Sequence, residues 1–251
     1  MPVEKEEKLE EMGFFDHLED LRSTIISLLG VWFAVSVVLS FLSGYILDFL
    51  LAGIPVESLY FHAPLEAFMV RLKLSFIAGF LVTFPYLLFR VWAFISPGLF
   101  SREKRVILPL IIPATVLFYA GAAFAYWIMI PVVLKFLMAF GTEKLSPLIS
   151  VERYFEFVAR LCVAFGLVFQ LPIVIVSLTA LGVISPSALL RQWRWVILLI
   201  FIVAAVMTPP DPASQLIMAI PLVVLFLVSA TLSIFIERKR KRGDKAAPAV
   251  S

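Results

Sequence analysis

Apolar residues in this chain come in runs too long for strands. Residues 106–134 contain no Asp, Glu, Lys, Arg or His, and they lack the period-two alternation that a β-barrel needs. Such runs predict bilayer-spanning helices, which satisfy their own backbone hydrogen bonds within each segment. The gaps between charges set the candidates near residues 24–46, 68–93, 106–134, 157–182, 194–208 and 214–236. Six spans put both termini on one side. Arg71 and Lys73 interrupt the second, leaving 74–89 as its uncharged core. The third holds Pro109, Pro113 and Pro131, and is expected to tilt or kink. The fifth has 13 residues between Arg194 and Thr208, which reach only roughly 20 Å across a core of about 30 Å. Pro209, Pro210 and Asp211 then turn the chain into the last helix, so helices five and six form a short hairpin. The loops 47–67 and 135–156 are long enough for short interfacial helices.

Composition leaves no room for a soluble domain. The 251 residues are 62% hydrophobic and 16% charged, against about 45–50% and 25% in soluble domains, and the mean hydropathy is +1.02. We therefore expect one polytopic membrane domain over 1–251, all-α, with 237–251 as a basic cytoplasmic tail. Eight acidic side chains in the first 22 residues do not make a signal peptide, so the first helix is expected to be retained. Charge sets the orientation: Arg71, Lys73, Lys135, Lys144, Arg153 and Arg160 fall on one side, and the other 15 of the 21 Lys and Arg fall on the side of the termini. By the positive-inside rule both termini are expected to be cytoplasmic. Trp92, Trp193 and Trp195 at inner ends, and Tyr126, Trp127 and Tyr154 at outer ends, fit interfacial belts.

Enzyme chemistry is not expected. The histidines, His17 and His62, lie outside the predicted spans, and no predicted helix interior carries an Asp or Glu. An intramembrane protease needs a nucleophile with its base, or paired aspartates, at membrane depth. The single Cys162 excludes a cysteine metal cluster, and there is no phosphate-binding glycine loop, so no metal or cofactor is expected. An ion-coupled transporter would place ionisable groups near the midplane. Gln170 is the most polar candidate at that depth, and its amide needs a partner on a neighbouring helix or another subunit.

Acids stand among bases on the side of the termini. Glu19 and Asp20 precede the first predicted span, and Glu103 lies between the second and third beside Arg102, Lys104 and Arg105. Their plain reading is helix-dipole complementation and weak surface pairing. Their functional reading is that two carboxylate sites receive two guanidinium groups of a ligand, because arginine binds carboxylate bidentately and lysine does not.

At this point the sequence resembles the TatC family, the multispanning receptor subunit of the twin-arginine protein translocase. His17-Leu18-Glu19-Asp20-Leu21-Arg22 is similar to the family's H-L-x-E-L-R, and Val91-Trp92-Ala93-Phe94-Ile95-Ser96-Pro97-Gly98-Leu99 to its V-W-x-F-x-x-P-x-L. Glu103-Lys104-Arg105, Phe118-Tyr119-Ala120-Gly121, Ala164-Phe165-Gly166 and Thr208-Pro209-Pro210-Asp211-Pro212 follow in the family's order.

The resemblance implies a glove-shaped six-helix receptor whose last two helices fall short of the outer face. It implies binding of signal peptides with paired arginines, assembly with TatA and TatB and with further copies of the chain, and export of folded cargo on the proton-motive force. By position, Glu103 matches the arginine-recognising glutamate, and Asp20, with Glu19 beside it, the amino-terminal one. Phe94 matches an aromatic beside the recognition loop. Arg22, Arg105 and His17 support the carboxylates, Gln170 lies where many relatives carry Glu and contact partner helices, and Asp211 matches an outer-hairpin aspartate. The alternatives are a small-solute transporter or channel, which would act alone in liposomes, and a structural scaffold, which would bind partners without preference for paired arginines.

Overall fold

The computed structural model describes residues 14–52, 59–61, 63–95, 108–139, 149–207 and 212–246. Ten α-helices cover most of them. Helix α1 (Phe14–Phe41) is followed by α2 (Ser43–Ala52) and α3 (Pro64–Ile95). A 3-10 turn (Leu108–Leu110) leads into α4 (Ile111–Phe124), which passes through a π-helical segment (Ala125–Met129) into α5 (Ile130–Met138). Then come α6 (Val151–Val168), α7 (Leu171–Ala180), α8 (Pro186–Arg191), α9 (Trp193–Met207) and α10 (Pro212–Ala246).

Among the described residues five stretches are long and apolar enough to cross a bilayer: His17–Phe41, Pro64–Ile95, Ile111–Met138, Val151–Ala180 and Pro212–Arg238. The expected fifth span is the short helix α9, whose 15 residues extend roughly 22 Å at 1.5 Å per residue. Helix α10 follows directly after the turn and runs on to Ala246, so much of the basic tail is helical.

Charges mark where spans end but not where helices end, and most boundary corrections follow from this. Helix α1 begins at Phe14 rather than near residue 24, so Glu19 and Asp20 lie inside its first turns and not ahead of it. The first span was expected to run to residue 46. The helix instead stops at Phe41, and the chain turns at Leu42, where the Ser43 hydroxyl donates to the Ser40 carbonyl at 2.7 Å. Helix α3 absorbs both Arg71 and Lys73. Glu66 in α3, and Glu152 and Glu156 in α6, lie in helical turns that precede the predicted spans, whose interiors carry no Asp or Glu.

The prolines act as expected on the third span. Pro109 sits in the 3-10 turn, and the π-helical segment ends just ahead of Pro131, whose ring and missing N–H disturb the preceding turn. The fourth span breaks at Phe169 and Gln170, immediately before Pro172. Gly182, with φ 79°, closes α7 in the left-handed region, and its N–H donates to the Thr179 carbonyl. Ser185 then caps α8, its hydroxyl accepting from the Ala188 N–H at 3.3 Å. That helix has no counterpart among the predicted elements.

Small residues set the helix approaches, as expected where lipid gives no hydrophobic drive between helices. A Cβ on Gly79 would lie 2.1 Å from the Ser36 Oγ, which brings α1 against α3. A Cβ on Gly121 would lie 2.6 Å from the Phe165 carbonyl, and one on Gly166 2.6 Å from the Phe118 ring, which brings α4 against α6. Two buried hydroxyls donate within their own helices, Ser36 to the Trp32 carbonyl and Ser75 to the Arg71 carbonyl.

Candidate functional site

Helices α1 and α3 run antiparallel, and polar and aromatic rungs fix their register. The His17 ring stacks on Phe94 with centroids 4.3 Å apart and planes 18° from parallel. Further along, Arg90 donates from a terminal guanidinium nitrogen to the Thr24 hydroxyl at 3.4 Å, and the Ser27 and Tyr86 hydroxyls are hydrogen-bonded at 2.7 Å. The Trp32 indole N–H donates to the Phe76 carbonyl at 2.9 Å. Arg90 Nε is buried without a hydrogen-bond partner.

These rungs bring the amino-terminal acidic motif against the Val91-Trp92-Ala93-Phe94 motif. Asp20 lies three residues after His17 and four before Thr24, so it shares the stripe that faces α3. Glu19, about 100° away around the helix, lines a shallow groove of about 380 Å³ with Arg22, Ser23, Ile26 and Ser27. Glu19, Asp20 and Arg22 are exposed, and Phe94 is half-buried under His17. The groove borders the α1–α3 seam, because Ser27 both lines it and hydrogen-bonds to Tyr86. Glu103, Arg105, Pro209, Pro210 and Asp211 lie outside the described residues.

Gln170 sits at the break between α6 and α7, and its amide donates to the Ala114 carbonyl of α4 at 3.0 Å. Its partner is within the chain, a backbone carbonyl rather than a hydroxyl. Among the described residues no three His, Cys, Asp or Glu side chains converge as a metal site would require.

One polar cluster escaped the reading of the sequence. The Glu66 carboxylate, 7% exposed, accepts the Ser150 hydroxyl and, at 3.2 Å, the Glu152 N–H. It thereby caps the N-terminus of α6 from another helix, where the peptide dipoles favour an anion. Lys73 donates to both Glu152 and Glu156 at 2.5 Å. Tyr60 pairs with the same terminus, its N–H donating to the Ile149 carbonyl and its own carbonyl accepting from the Val151 N–H, each at 3.1 Å. The available signal was the four-residue spacing of Glu152 and Glu156, which puts two acids on one helical face ready for the lysine that interrupts the second span.

The bundle and this polar frame define an all-α multi-pass membrane protein whose described residues are almost all helical, with a charged face where the first and second spans begin and end. A family model described as "Sec-independent protein translocase protein (TatC)" matches residues 16–221, and the chain belongs to that family. The TatC of Aquifex aeolicus is 36% identical over 241 residues, covering 94% of this chain and 100% of the relative. The TatC of Carboxydothermus hydrogenoformans is 36% identical over 238 residues, covering 93% and 98%. A crystal structure of the twin-arginine translocase receptor TatC superposes with a TM-score of 0.79 at 35% identity, covering 88% of this chain and 99% of that one.

Proposed function

We propose that the chain is the receptor core of a twin-arginine translocase. It binds paired-arginine signal peptides at its cytoplasmic face and assembles with TatA, TatB and further copies of itself to export folded proteins across the cytoplasmic membrane on the proton-motive force. The observation that carries this reading is the His17–Phe94 stack, which sets Asp20 and Phe94 on adjoining faces of α1 and α3. In this reading Glu103 and Asp20 each take one guanidinium and Phe94 packs against the peptide. His17 orients Phe94, while Arg22 and Arg105 organise the carboxylates. Glu19, in its own groove, contributes less than Asp20. Gln170 lies at the contact with a partner helix, and Pro209, Pro210 and Asp211 form the outer turn between the last two spans.

Energetics dictate the binding mode. An exposed ion pair contributes only about 0–1 kcal/mol, too little to separate Arg-Arg from Lys-Lys. Selection requires bidentate, partly desolvated pairing, where hydrogen bonds to charged groups contribute about 1.5–3 kcal/mol each. The test titrates the protein in nanodiscs with fluorescent signal peptides carrying Arg-Arg or Lys-Lys, at varied salt. Wild type should prefer Arg-Arg severalfold, and Glu103→Gln should erase that preference. Equal binding of both peptides, falling alike with salt, would overturn the reading.

A further inference from the structure

The mouth between α5 and α6 holds a cavity that peptide recognition does not use. Leu134, Leu137, Met138, Ile149, Tyr154 and Phe157 line an open space of about 330 Å³, within the roughly 300–1,000 Å³ of small-ligand clefts. Its only charged lining residue is Arg153. Arg153 occupies the first turn of α6, where the helix dipole favours an anion and disfavours a cation. The nearby acids are engaged elsewhere: Glu66 by Ser150 and the Glu152 N–H, and Glu152 by Lys73. Arg153 is exposed and makes no ion pair among the described residues. Lys135, in the last turn of α5, adds a second exposed cation near the same mouth.

We propose that this cavity seats an acyl chain of an anionic phospholipid whose phosphate is held by Arg153. The lining is what a hydrocarbon chain wants, and the cation at its rim is what a phosphate wants. A guanidinium presents a planar fork that matches two phosphate oxygens, and an arginine near the end of a spanning helix reaches naturally to head-group level. A zwitterionic head group brings its own cation and satisfies Arg153 less well. A second protein helix would fill the apolar space without supplying the anion.

The experiment uses the full chain in detergent, with phosphatidylglycerol or phosphatidylcholine added, read by native mass spectrometry and by thermal unfolding. Wild type should retain one phosphatidylglycerol severalfold more than phosphatidylcholine, and its melting temperature should rise with the anionic lipid. Glycerol phosphate, the head group without a chain, should do neither. Arg153→Gln should abolish the preference between the lipids, and Arg153→Lys, which keeps the charge but not the fork, should retain part of it. Ile149→Trp, which fills the cavity and leaves Arg153 in place, should expel the lipid with either head group. Equal retention of both lipids by wild type, or an unchanged preference in Arg153→Gln, would overturn the proposal. Stabilisation by glycerol phosphate alone would assign Arg153 to a free anion instead and overturn it too.

Discussion

Phe118 lies flat on Phe84, ring centroids 3.4 Å apart and planes 9° from parallel, and its far edge fills the space that a side chain on Gly166 would need. One ring thus joins the second, third and fourth spans. Two glycines make the arrangement possible, but their substitutions should differ.

At Gly166 an added methyl meets the ring of Phe118, whereas at Gly121 it meets the Phe165 carbonyl at 2.6 Å. A ring can rotate and backbone cannot. Gly166→Ala should cost about 1–3 kcal/mol, the usual range for overpacking, and Gly121→Ala at least as much. Thermal unfolding in detergent ranks them, and unchanged melting temperatures in both would contradict the packing described.

Lys73 faces two carboxylates. Lys73→Gln should therefore lower the melting temperature by leaving Glu152 and Glu156 in mutual repulsion one helical turn apart. Adding Glu156→Gln should recover part of the loss. A double variant less stable than the single one would mean that Lys73 acts through its packing rather than its charge.

Asp20 and Glu19 are adjacent in sequence and about 100° apart around α1. Asp20→Asn should weaken Arg-Arg peptide binding about tenfold, corresponding to about 1.4 kcal/mol, with Glu19→Gln costing less. The same nanodisc titration measures both. A larger effect at Glu19 would move the recognition face from the α3 side of α1 to its groove.

Gln170 ties the break in the fourth span to the Ala114 carbonyl. Gln170→Leu fits the apolar surroundings but leaves the Ala114 carbonyl without this donor. It should cost about 0.5–1.5 kcal/mol, read by thermal unfolding. If a partner helix also contacts this position, co-purification of TatB should fall further than the stability loss accounts for.

The spans were legible in the sequence because hydrocarbon tolerates only self-satisfied apolar helices. The helix ends were not, since a helix continues past the membrane surface wherever its backbone is unbroken, as α1 does through Glu19 and α10 through Arg238. Pro131 announced a distortion, whereas the form it took, a π-helical segment, depended on packing, and the two-residue break ahead of α7 was not expected from the sequence. For the site, the residue types were readable from the motifs. That His17 stacks on Phe94 required the register between α1 and α3. The Glu66, Lys73, Glu152 and Glu156 cluster stayed hidden because charges inside apolar runs read as interruptions until their partners are placed.

That cluster also fixes the height of one span against another. Lys73 of α3 reaches both acids of α6, and Glu66 of α3 meets the first turn of α6 at Ser150 and the Glu152 N–H. Sliding α6 along α3 by one turn would break all of these contacts together. The second and fourth spans therefore move as one body, and any displacement of one carries the other with it.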